Sequence, residues 1–270
     1  MLDESTTTAY LERISARRPD RPDLDSLRHL HERHVLSVPF ESLDYQLGRE
    51  VHYKDKRVVD KIVHQRRGGG CGEINTSFFY LLETLGYSVR LHHGRVWIGG
   101  ELKAPYNHLL VSAEIDGRRW IVDTGFGKGS RYPLAMDTAD AQPDPHGEFS
   151  LRVVDDRSTD VLCNGKPLYR FYDDPVTLSD FDQVIWWYRT SPDSLLLQNM
   201  FCQLPLDDGW VLLKDDVLSI TRGKETTTEK LADDAAVLAA YEEWFGISFD
   251  ERPTPSPHRS SSVRMAFEEK

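Results

Sequence analysis

An α+β fold is predicted by a change in the spacing of apolar residues and by where the turn signals fall. Up to Leu85 the apolar residues recur at helical spacing, and from Tyr87 onward β-rich stretches alternate with Gly, Pro, Asn and Asp. A last helical pattern closes the chain at Gly246.

The first helix is expected over Thr6–Ser15 and the second over Leu24–Val35, where Leu27, Leu30, His34 and Val35 share a face and Asp23 or Asp25 can cap the first turn. Val58, Val59, Ile62 and Val63 place a third helix over Asp55–Gln65. A fourth starts at Cys71, carries Ile74, Phe78, Leu81, Leu82 and Leu85 on one stripe, and stops at Gly86. Next, Ser88–Ile98, His108–Ile115, Arg119–Asp123 and Phe149–Val154 read as strands of an antiparallel sheet or barrel. Leu134–Glu148, with Pro143 and Pro145, reads as a polar loop. Further strands are expected at Val184–Arg189 and across Trp210–Thr221, followed by a helix over Lys230–Phe245. Pro253–Val263, rich in Pro and Ser, reads as a mobile tail.

A chain of 270 residues, 39% apolar, can bury a sizeable core as one elaborated unit or as two to three lobes. No apolar run is long enough to span a bilayer, and Met1–Tyr10 is polar and acidic, unlike a secretory leader. The cysteines at 71, 163 and 202 are odd in number and widely spaced, so neither a disulfide framework nor a zinc cluster is indicated, and a cytoplasmic location is expected. A formal charge of −11 argues against a nucleic-acid partner, because phosphate contacts need a basic surface.

The chemistry starts at Cys71, which follows Gly68-Gly69-Gly70 at the beginning of a helix. Glycines allow close backbone approach and left-handed turns, while the unpaired N–H groups and positive dipole end of a helix favour thiolate over thiol. A small buried thiol beside a tight turn is the plain alternative. An activated cysteine needs a base and a group that orients the base. Asp116-Gly117 is a strong two-residue hairpin signal. If those residues are the loop, Ile115 pairs with Arg118 and Leu110 faces Asp123, so His108 and Asp123 project from the same face as diagonal neighbours roughly 7–8 Å apart. A one-residue slip in register would separate them. His92 and His93 are rival bases but point to opposite faces, and no carboxylate is similarly placed for them; His29, His31, His34 and His64 read as surface or packing residues. Asp123 also suits a cap for the Thr124–Gly127 turn.

Taken together, several ordered segments resemble the arylamine N-acetyltransferase family. Arg67, Gly68, Gly69, Cys71 and Asn75 match its Arg-Gly-Gly-x-Cys-x-x-x-Asn motif, and Val38–Asp44, Asn107–Leu110 and Val122–Gly127 match three more segments. Leu168–Phe171 and Thr190–Ser194 echo two others less specifically. The resemblance implies a helical domain over 1–86 carrying the nucleophile and a β-barrel domain over 87–190 carrying the base and its partner. An α/β lid over 191–250 and the tail over 251–270 complete it. It implies a catalytic core like that of papain-type proteases and transglutaminases, with Cys71, His108 and Asp123 as the triad. Arg67, Glu41 and Asn75 are then a buried polar network under the active-site turn, and Phe40, Gly70, Gly72 and Phe126 surround the substrate pocket. No metal and no permanently bound cofactor is implied. The acyl donor is acetyl-CoA and the acceptor a small arylamine or arylhydrazine, with no nucleic-acid or membrane partner.

The chain departs from the family in having glycine on both sides of Cys71, where a bulky residue is common. A wide mouth is expected to follow, which suits the related amide synthases that close macrolactam rings in ansamycin-type antibiotic biosynthesis. Those enzymes take a polyketide from an acyl carrier protein, so a carrier-bound thioester is the alternative donor. Peptide hydrolysis or glutamine crosslinking by the same triad is more distant, and a non-catalytic binding protein more distant still.

Overall fold

The computed structural model describes residues 1–255. Of the tail expected over 251–270, residues 256–270 lie outside the described residues.

Helices Glu4–Arg13, Leu24–Val35, Arg57–Val63 and Cys71–Thr84 make the N-terminal part. The first two begin at aspartates, as helix starts favour: Asp3 accepts from the Thr6 N–H at 2.8 Å and Asp23 from the Ser26 N–H at 2.9 Å. Ile74, Phe78, Leu81 and Leu82 are buried in one cluster with Tyr10, Leu27, Leu30, Val58 and Ile62, which fixes the fourth helix and so the position of Cys71 at its first residue.

Among the described residues, nine antiparallel strands form the central sheet. Its path runs through Leu134–Ala135, Arg118–Val122, His108–Ile115, Ser88–Ile98, Lys166–Tyr172, Ser158–Cys163, Gly147–Val153 and Gln142–Asp144, while Glu101–Leu102 pairs with Ser88–Ile98 off this path. The two terminal strands are tied by one side chain. The Ala135 N–H donates to Oε1 of Gln142 at 2.7 Å, and Nε2 of Gln142 donates to the Ala135 carbonyl at 3.0 Å. The sheet is thereby a nearly closed barrel, and the segment expected to be a plain loop over Leu134–Glu148 supplies both of its ends. Alternation along the strands splits the burial. Leu110 and Ile121 face Phe149, Leu151, Val161, Tyr169 and Phe171 inside, whereas Val111, Ala113, Trp120 and Val122 pack on the N-terminal helices.

A second sheet joins Phe40–Glu41, Phe201–Leu206, Gly209–Lys214, Val217–Arg222 and Glu225–Lys230. Helix Asp234–Phe245 covers it through Val237, Ala240, Tyr241 and Phe245, and ends at Gly246 with φ 64°. Its first strand comes from the N-terminal part, with Phe40 opposite Gln203 and Glu41 opposite Cys202.

The strand expected at Val184–Arg189 is a helix, Asp182–Thr190. Val184, Ile185, Trp186, Trp187 and Tyr188 are β-forming side chains, which is why the run reads as a strand. A preceding cap overrides them: the Thr177 N–H and hydroxyl both donate to Oδ2 of Asp180, at 2.6 and 2.9 Å. Phe181 and Ile185 then pack with Tyr45 and Leu109, which sets this helix over the start of the Cys71 helix. Among the described residues no helix is long and apolar enough to cross a membrane.

Candidate active site

The turn before Cys71 is built by close approach. A Cβ on Gly68 would lie 1.8 Å from the Pro39 carbonyl oxygen, and one on Gly69 would lie 2.7 Å from the Glu73 carboxylate. Neither of these glycines nor Gly70 has a positive φ, so the left-handed turn expected from the glycine run is absent and tight packing is the reason for it. Glu73 fastens the helix start by accepting from the Gly70 N–H at 3.0 Å.

Beneath this turn lies a buried cluster of two cations and three carboxylates. Arg67 meets Glu41 at 2.7 Å and Asp44 at 3.0 Å; Lys61 meets Asp44 and Glu73, each at 2.7 Å. Burial opposes the Lys61 charge, but the three carboxylates hold the ammonium protonated. Burial raises the pKa of Glu73, with Glu41 and Asp44 adding to the rise and Lys61 opposing it. Arg67 and Glu41 thus pair within this cluster. Lys61, Asp44 and Glu73 join them without a signal in the sequence, because nothing local links position 61 to position 44.

Asn75 is bonded elsewhere, on the neighbouring barrel strands. Its Nδ2 donates to the Leu109 carbonyl at 2.7 Å and to Oδ1 of Asp123 at 2.8 Å, and its Oδ1 accepts from the Thr124 N–H at 2.9 Å. The hairpin has the expected register, with Ile115 opposite Arg118 and Val111 opposite Val122. His108 Nε2 accordingly lies 2.7 Å from Oδ2 of Asp123, and both side chains are buried. Cys71 lies close enough, across the shared cavity, to act on the same imidazole. Burial works against a charge on His108, but Asp123 and then Cys71 push its pKa up to about 10. Burial likewise works against the Asp123 carboxylate, which His108, Asn75 and the Gly125 N–H nonetheless hold below its ordinary range. Asp123 also takes the turn-capping part open to it, accepting from Gly125 at 3.1 Å.

Tyr169 completes this side. Its ring centroid lies 4.8 Å from that of His108, burial and then the nearby Asp123 carboxylate push its phenol pKa well up, and Phe126 stands edge-on to His108 at 5.3 Å. Strand alternation turns Tyr169 inward with Phe171, but no feature of the sequence pairs it with Asp123. The rival histidines are occupied otherwise. His92 Nε2 lies 2.8 Å from the Ser112 hydroxyl, and His93 is stacked between Tyr106 and Tyr172 at 4.2 and 4.6 Å.

Cys71 and His108 open on a cavity of about 80 Å³, which Phe40, Gly70, Gly72 and Phe126 also line. The wide mouth expected from the two glycines is filled by other side chains. A Cβ on Gly70 would lie 3.2 Å from the Tyr45 hydroxyl, and one on Gly72 would lie 3.4 Å from Cδ1 of Ile185. Tyr45, Ile185 and Tyr188 were not read as lining residues, since they arrive from segments far along the chain. Among the described residues no group of His, Cys, Asp and Glu is arranged to hold a metal.

A family model described as N-acetyltransferase matches residues 23–254. An arylamine N-acetyltransferase of Mycobacterium tuberculosis is 33% identical over 251 residues, 89% of this chain and 89% of its own. Two solved structures are similar throughout. The arylamine N-acetyltransferase of Salmonella typhimurium superposes with a TM-score of 0.85 at 25% identity, covering 95% of this chain and 96% of that one. The enzyme of Mycobacterium marinum in complex with CoA gives 0.81 at 29%, covering 89% and 92%.

Proposed function

The chain belongs to the N-acetyltransferase family, and on that premise we propose that it moves an acyl group from a thioester donor through an acyl-cysteine on Cys71 to an amine, with acetyl-CoA and an arylamine or arylhydrazine as the reactants. The observation that carries the proposal is His108, which bonds Asp123 and shares the lining of one cavity with Cys71.

The Cys71 thiolate attacks the thioester carbonyl, forming a new C–S bond; the old C–S bond breaks, and the departing thiolate takes the proton of the His108 imidazolium. The amine then attacks the acyl-cysteine. His108 accepts the amine proton as the C–S bond to Cys71 breaks, restoring thiolate and imidazolium, a general-base role worth typically about 10²–10⁴ in rate. Asp123 keeps His108 oriented and supports its charge, with Asn75 and the Gly125 N–H fixing the carboxylate. The backbone N–H of Cys71, at the helix start, is assigned to the developing oxyanion. The donor chemistry is that of the Mycobacterium marinum relative, which binds CoA.

Intact-mass measurement after mixing with acetyl-CoA tests this reading. One acetyl group should appear on the parent and none on Cys71→Ala, and an arylhydrazine should discharge it. An adduct that maps to Cys163 or Cys202, or turnover of a peptide in place of any thioester, overturns the proposal.

A further inference from the structure

Ile98, Asn107, Tyr188 and Leu195 line the cavity at Cys71 and also a trough of about 720 Å³, which therefore begins at the cavity's edge. Val184 and Trp187 of helix Asp182–Thr190 form more of its wall. Trp187 is 38% exposed and the adjacent Trp186 66%, two of the five large apolar side chains left facing water among the described residues. Among the described residues that line the trough, Lys103 is the one cation and Asp193 the one anion, so this lining carries no net charge and matches neither a polyanion nor a cation.

We infer that this trough holds the apolar tail of an acyl group longer than acetyl while the acyl carbonyl carbon is bonded to Sγ of Cys71; the inference rests on the acyl-transfer reading above. A space of about 80 Å³ has room for roughly five to eight water-sized groups, enough for two carbons but too little for a ten-carbon chain. Direction follows from the helix above the nucleophile. Ile185 packs where a side chain on Gly72 would stand, and Val184 and Tyr188 belong to the same turn, so an acyl group on Cys71 lies under this helix and its tail leaves along it. Tyr188 is held at the boundary by its hydroxyl, which donates to the Asn107 carbonyl at 2.9 Å. Phe40, Gly125 and Phe126, which line the cavity but not the trough, are left to the amine. Gly70 and Gly72 do not make the site roomy; added bulk is carried outward between Ile98 and the helix.

Single-turnover acylation by the acetyl, hexanoyl and decanoyl thioesters of N-acetylcysteamine, read by intact mass, tests the inference in the parent, Val184→Asp and Trp187→Ala. Burial of each added methylene favours acylation by up to about fourfold until the trough is full. The parent should prefer decanoyl to acetyl by at least about tenfold, and each variant should cut that ratio about tenfold or more. Trp187 is partly exposed, so its variant keeps the test open if Val184→Asp fails to fold. A parent that prefers acetyl, or a ratio unchanged in a folded variant, overturns the inference. So does a variant that slows only bulky amines attacking the acetylated enzyme, since the trough would then belong to the acceptor. Absence of an adduct with any of the three donors instead overturns the acyl-transfer reading itself.

Discussion

Asn75 donates to Oδ1 of Asp123 at 2.8 Å, the carboxylate oxygen that does not meet His108. One residue of the nucleophile's helix therefore aims the carboxylate that orients the base. Asn75→Ala would leave the Leu109 carbonyl and the Thr124 N–H buried without these partners. Each such loss costs about 1–3 kcal/mol. We expect unfolding stability to fall by about 3 kcal/mol and acylation of Cys71 to slow by about tenfold or more, measured by urea denaturation and stopped mass spectrometry. Normal acylation in a destabilised variant would make Asn75 a purely structural residue.

Gly125 touches the same junction from the barrel side. A Cβ there would lie 2.8 Å from Nδ2 of Asn75 and 2.9 Å from the Cα of Cys71, with backbone unable to give way cheaply. A displacement of about 1 Å at a reacting group can cost about 10² in rate. Gly125→Ala should therefore acylate about 10²-fold more slowly than the parent. Gly117→Ala, at an exposed hairpin with φ +75° and open space around it, should lose stability by backbone strain and keep its acylation rate.

The His108 and Asp123 pair sets a pH dependence of stability. His108 rises from 6.5 to about 10, so its contribution is fully present below about pH 6.5 and is lost as pH climbs through 10. Asp123 is depressed, so its contribution is present above about pH 4 and is lost as pH falls further. The stability advantage of the parent over Asp123→Asn should be largest near pH 5–6 and shrink steadily toward pH 10. Urea midpoints across that range decide it, and an advantage that grows with pH would mean that the pair is not ionised.

Lys61 balances buried carboxylates. Removing it leaves Glu73, Glu41 and Asp44 with Arg67 as the one buried cation of the cluster, Arg49 reaching Asp44 only from the surface at 3.9 Å. Breaking a buried ionic cluster from one side costs about 3–5 kcal/mol. Lys61→Met should be destabilised by that amount, and adding Glu73→Gln should return part of it, a non-additivity that a double-mutant cycle measures directly.

The hairpin was legible because Asp116-Gly117 admits one register, and that register alone puts His108 beside Asp123. Cys71 was legible because a glycine run and an apolar helical stripe meet there. Helix Asp182–Thr190 was not, since the cap at Thr177 and Asp180 and the packing of Ile185 outweigh a strand-like composition. Tyr169, Asp44 and Lys61 were invisible for a different reason. Each reaches its partner through pairing or packing between distant segments, which no spacing rule encodes.

The pairing of Phe40–Glu41 with Phe201–Leu206 has a consequence for how the chain is made. Glu41 also bonds Gly69 through its N–H, so the strand that braces the nucleophile turn is itself completed by residues translated about 160 positions later. A ribosome that has reached Asp123 has already incorporated all three members of the triad, yet the brace is still unwritten. The thiol should thus become an efficient nucleophile only after Phe201–Leu206 has left the ribosome. Topology in this way sets the order in which a growing polypeptide acquires its nucleophile and the brace beneath it.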